Sequence, residues 1–101
     1  MHVNDLHLPD RAVADLCRRH HIRRLALFGS AVRGELRRDS DLDVLVEFEE
    51  GHTPGFAFFD IEVKLSQVLG RKVDLNTPRF LSPHILSKVE AEAEVVFGPD
   101  R

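Results

Sequence analysis

Tryptophan and tyrosine are absent from this 101-residue chain, and cysteine and methionine each occur once. The basic run Arg18-Arg19-His20-His21 with Arg23-Arg24 has no aromatic residue interleaved, so a stacking platform for single-stranded nucleic acid is not supported and direct nucleic-acid binding is not indicated. The lone Cys17 excludes an internal disulfide, which is consistent with the reducing cytoplasm where the chain is expected to reside. No apolar run approaches a membrane span and no charged-then-apolar leader opens the chain, so no membrane role is expected. His2, His7, His20, His21, His52 and His84 lack the mutual or cysteine spacing of a zinc site. Repeats, low-complexity tracts and linkers are missing too. The expectation is therefore a single domain spanning residues 1–101, with one core.

What is present alternates between helix and strand signals. Residues 9–20 read as a helix with Pro9 in the first turn and with Val13, Leu16 and Cys17 on one face, so Cys17 is a packed thiol. The Arg-His cluster at the end of that helix suits the negative end of its dipole, with a protein or RNA surface as the alternative. Residues 24–28 read as a strand, 31–35 as a short helix, 41–48 as a strand, and 49–55 as a loop holding Gly51, Pro54 and Gly55. A helix over 56–69, with Phe56, Phe59, Val63 and Val68 expected in the core, leads through Gly70 to a strand over 72–75. Residues 82–91 form a helix capped by Ser82 with Pro83 at its first position, and 95–97 a short final strand or tail. This order predicts an α/β (α+β) domain, a small mixed β-sheet flanked by helices.

The chemistry concentrates between Leu25 and Phe48. The apolar run Leu25-Ala26-Leu27-Phe28 is broken by Gly29-Ser30 where a helix begins, and such a strand-to-helix turn points backbone N–H groups and a hydroxyl at an anion. Asp41 and Asp43 open the next apolar run, and in a strand side chains two residues apart share a face. Close carboxylates repel unless a cation lies between them, and a hard divalent ion that also holds phosphate oxygens, Mg²⁺ above all, is the natural choice. Asp74 lies mid-strand in Arg71-Lys72-Val73-Asp74-Leu75-Asn76. If that strand pairs in matching register beside the Asp41-to-Val46 strand, Asp74 completes a carboxylate trio that clamps attacking and leaving oxygens. Alone, a Gly-Ser turn, an Asp-x-Asp strand start or a strand-end acid is ordinary surface; their order and spacing set them apart.

Other polar residues carry two readings each. Arg33 leans from the short helix toward a bound triphosphate, or is a solvated helix arginine. Ser40 orients the Asp41 carboxylate, or is a turn serine. His52, in the loop after the second strand, could reach a substrate.

Phe28-Gly29-Ser30-Ala31-Val32-Arg33-Gly34-Glu35, then Ser40-Asp41-Leu42-Asp43-Val44-Leu45-Val46-Glu47-Phe48, then Leu69-Gly70-Arg71-Lys72-Val73-Asp74-Leu75 resembles the minimal nucleotidyltransferases of the polymerase-beta-like superfamily, over nearly the whole chain. The resemblance implies that Gly29 and Ser30 hold nucleotide phosphates, that Asp41 and Asp43 bind Mg²⁺, with two ions expected during catalysis, and that Asp74 supports the metal or acts as base. It also implies an antitoxin paired in a hetero-oligomer with a HEPN-type ribonuclease toxin, AMP being transferred from ATP to a toxin tyrosine. Larger nucleotidyltransferases add a helical acceptor-binding domain, and so short a chain is expected to take its acceptor from a partner. The alternatives are a binding module that silences its partner by masking it, and transfer to a small molecule of aminoglycoside type, which needs an enclosing pocket.

Overall fold

The computed structural model describes residues 1–4 and 6–99. Strands β1 (His2–Val3) and β2 (Leu6–His7) pair antiparallel ahead of helix α1 (Asp10–Arg19). Then follow β3 (Ile22–Phe28), the short helix α2 (Ser30–Arg33), β4 (Leu42–Phe48), α3 (Ala57–Leu69), β5 (Val73–Asn76), a 3-10 turn at Pro78–Phe80, α4 (Pro83–Glu92) and β6 (Glu94–Phe97). The main sheet runs β5-β4-β3-β6, with β4 and β5 parallel and the other neighbours antiparallel. This is the expected mixed sheet flanked by helices. Local signals account for the elements: Asp10 and the pair Arg18 and Arg19 complement the two ends of the α1 dipole. Ser82 caps α4 by accepting from the Ile85 N–H at 3.3 Å, with Pro83 behind it. Pro9 stands at the N-cap of α1, one residue outside the helix. The β1–β2 pair and the 3-10 turn were not foreseen, since elements of two or three residues have no period to read.

Strand alternation divides the sheet into two faces. One presents Leu25 and Leu27 of β3, Leu42, Val44 and Val46 of β4, and Val73 and Leu75 of β5 to a core shared with Val13, Leu16 and Cys17 of α1 and Phe58, Ile61, Leu65 and Leu69 of α3. The other carries the cross-strand pairs Phe28 with Asp43, Ala26 with Leu45 and Arg24 with Glu47. A register shift between Ile22 and Arg24 puts Ile22 in the core and Arg24 on the other face despite their even spacing, both buried. Arg24, 3% exposed, therefore belongs to no solvated cluster: its Nη1 lies 2.6 Å from Glu47 and 3.5 Å from Glu90 of α4. Removing one partner from a buried pair of this kind costs about 3–5 kcal/mol, so Arg24 anchors α4 to this face.

The expected core face of α3 is corrected. Phe56, Phe59 and Val63 are 93%, 61% and 55% exposed, and Phe58, Ile61, Leu65 and Leu69 are buried instead. The helix is apolar on more than one side, so a 3.6-residue period admits either stripe; the position of the sheet selects one.

β5 lies at the sheet edge, yet its outward amides are not left to water. The Val73 N–H donates to Ser66 Oγ at 2.9 Å and the Leu75 N–H to Glu62 Oε2 at 2.8 Å. Glu62 and Ser66 sit one turn apart on α3 and so meet alternate residues of the strand. Glu62→Ala is expected to destabilise the fold by about 1–3 kcal/mol and to speed amide exchange selectively in β5, measured by urea melts and hydrogen exchange. Cys17 is fully buried and burial pushes its thiol up to about 12. Its thiol should therefore resist a disulfide-exchange reagent in the native protein and react at once in denaturant.

Candidate functional site

The end of β3 carries the chain straight into the site. Phe28 pairs with Asp43, so the turn that follows lies against that carboxylate. Gly29 has φ +74°, a left-handed backbone, and a Cβ there would overlap Asp43 Oδ2. No other residue fits without displacing the acid. The Gly29 carbonyl accepts from the Val32 and Arg33 N–H groups at 3.1 and 3.2 Å, closing the first turn of α2. The N–H groups of Ser30 and Ala31, which open the helix, have no acceptor within it.

Parallel pairing of β4 and β5 sets Asp43 opposite Asp74. Asp41 precedes β4 by one residue and shares the Asp43 side of the strand, with Lys72 Nζ 3.9 Å from its Oδ2. Register thus brings the three acids to one end of one face, beside the Gly29 turn. Burial raises the Asp43 carboxyl above the usual carboxylate range, and the neighbouring charges of Asp74 and Asp41 push the same way. Among the described residues no three His, Cys, Asp or Glu side chains converge into a ready-made metal cage. Mg²⁺ seldom has one: it takes one or two carboxylates and completes its shell with water and substrate phosphate. Hard oxygen donors that repel each other beside free N–H groups fit such a shared ion. A groove of about 400 Å³ is lined by Arg38, Arg71 and Lys72 together with Asp39 and Asp41, so its wall carries both signs of charge.

The remaining candidates separate. Arg33 Nε pairs with Glu35 at 2.9 Å and its Nη1 with Glu92 at 3.1 Å, so the half-exposed guanidinium is held between two carboxylates. Ser40 is a turn serine: its Oγ accepts from the Arg37 N–H at 3.1 Å. His52 stacks on His21 with ring centroids 3.9 Å apart, at the Glu49 end of β4 and about 20 Å of strand away from Asp43. Glu92 went unforeseen. Its Oε1 accepts from the Gly29 N–H at 3.0 Å across 63 positions of sequence, and an acid at a helix end gives no sign of such a contact.

Residues 10–96 match the family model described as a nucleotidyltransferase domain. The chain belongs to the nucleotidyltransferase family. It is an enzyme of the minimal nucleotidyltransferase type, similar to the protein adenylyltransferase MntA of Thermococcus cleftensis, with 40% identity over 81% of this chain and 82% of that one. Among solved structures, one provisionally assigned as a minimal nucleotidyltransferase is 44% identical with TM-score 0.72, covering 84% of this chain and 86% of the other. A toxin-antitoxin crystal structure with AMP-PNP is 26% identical with TM-score 0.74, covering 91% and 75%. No helix among the described residues of this nucleotidyltransferase is long and apolar enough to cross a membrane.

Because its native pKa is raised, Asp43 keeps its proton to higher pH in the folded enzyme than in the unfolded chain. The stability this contributes is complete below the unfolded Asp range and lost as pH rises through the raised native value. Thermal melts in EDTA should therefore show wild type losing stability across that window relative to Asp43→Asn, and millimolar Mg²⁺ should stabilise wild type more than the variant.

Proposed function

We propose that this nucleotidyltransferase transfers AMP from ATP to a tyrosine hydroxyl of a cognate HEPN-type ribonuclease toxin, and so acts as the antitoxin of the pair in a hetero-oligomer. The observation that carries the reading is the register of Asp43 with Asp74 beside the Gly29 turn. The likeness to MntA and to the toxin-antitoxin structure with AMP-PNP supports ATP and a toxin partner. The HEPN class and the tyrosine follow from the family resemblance.

On this reading the Ser30 hydroxyl and the N–H groups opening α2 donate to the terminal phosphates, and Arg33 adds positive charge where pyrophosphate departs. Asp41, Asp43 and Asp74 would hold Mg²⁺, two ions in the full site, which when bound supplies neutralisation of triphosphate charge. The acceptor oxygen forms a bond to the α-phosphorus as the bond to the bridging oxygen breaks, releasing pyrophosphate. The hydroxyl proton passes to a carboxylate of the trio and on to water. Positioning and electrostatics supply most of the acceleration in such chemistry, which a small domain can provide. An adenylyl group on the toxin adds bulk and negative charge and silences it.

Intact-mass spectrometry of the toxin after incubation with this enzyme, Mg²⁺ and each nucleoside triphosphate should show gains of whole AMP units with ATP. Asp41→Asn with Asp43→Asn should abolish them and the loss of toxicity together. A stable complex that silences an unmodified toxin would replace the proposal with neutralisation by binding.

A further inference from the structure

One side chain at the site has no part in the chemistry above. Glu92 is the last residue of α4, and β6 begins two residues later with Glu94 opposite Leu27 of β3. That connection, with the Arg24–Glu90 contact two residues earlier, delivers the Glu92 carboxylate to the Gly29 turn from the far end of the chain. There it takes two donors at once: Oε1 accepts from the Gly29 N–H at 3.0 Å, and both oxygens meet Arg33 Nη1, at 3.3 and 3.1 Å.

Glu92 occupies the N–H of Gly29, whereas the N–H groups of Ser30 and Ala31 and the Ser30 hydroxyl open α2 beyond it. With Nε on Glu35 and Nη1 on Glu92, the Arg33 guanidinium is fixed in plane and its Nη2 stays clear of both bonds.

We propose that Glu92 is the positioning residue of the phosphate-binding half of the site, acting through the Gly29 turn and Arg33. This rests on the nucleotide reading of the site. Its carboxylate sets the peptide of Gly29 and the plane of Arg33 before the nucleotide arrives, so that ordering them is not charged against binding.

Calorimetric titration of Mg²⁺ with ATP, and of Mg²⁺ with tripolyphosphate, tests this on wild type, Glu92→Gln and Glu92→Asp. The Gln variant keeps length and loses charge; the Asp variant keeps charge and is too short to span both donors. Both should weaken ATP and tripolyphosphate alike, by about tenfold, as expected for one charge-assisted contact. In an Arg33→Ala background most of the Glu92→Gln effect should vanish, a coupling that general loosening of the fold would not produce. Affinity equal to or above wild type in Glu92→Gln would overturn the proposal, a rise marking Glu92 as a competitor for the phosphate. Absence of binding of both probes to wild type would overturn the nucleotide reading itself, and this inference with it.

Discussion

The register of β5 is the constraint on which the site depends, and two side chains of α3 hold it. Glu62 and Ser66 take the Leu75 and Val73 amides, so a slip of the strand by one residue would strand both acceptors and turn Val73 and Leu75 out of the core. The same slip would carry Asp74 away from Asp43 to the opposite face. The geometry of the acids is thus secured by ordinary edge-strand chemistry on the helix that also fills the core, and the acids themselves contribute repulsion rather than stability.

The two faces of the sheet divide these duties. Apolar side chains of β3, β4 and β5 meet α1 and α3 on one face, which is where folding free energy comes from. The other face tolerates charge because each charge is answered: Arg24 by Glu47 and Glu90, Gly29 and Arg33 by Glu92. Asp43 is half-buried among acids, and burial together with the charges of Asp74 and Asp41 pushes its carboxyl up. Repulsion among acids beside the helix-start amides of α2 is the feature on which the proposed nucleotide reading rests.

Much of this was legible in sequence, for reasons specific to each residue. The Gly29-Ser30 break, the Asp41 and Asp43 spacing, the Gly70 cap and the Ser82-Pro83 start are local signals that operate over a few residues, and they placed the elements to within about two positions. Asp74 was legible only conditionally, since its value depended on which strand lay beside it. The buried stripe of α3 was misread because Phe56, Phe59 and Val63 satisfy a helical period as well as Phe58, Ile61 and Leu65 do. Ser40 and His52 were near the acids in sequence but bond to Arg37 and stack on His21.

By itself the sequence determined the kind and order of most elements and the presence of a Gly-Ser turn followed by paired acids, because dihedral preference, capping and strand alternation act between neighbours. Tertiary structure alone decided that Asp74 stands beside Asp43, that Arg24 is buried, that α3 turns Phe59 outward, and that Glu92 reaches Gly29 and Arg33. Those outcomes depend on which strands pair and which helix face meets the sheet, choices made by the burial of the whole chain at once.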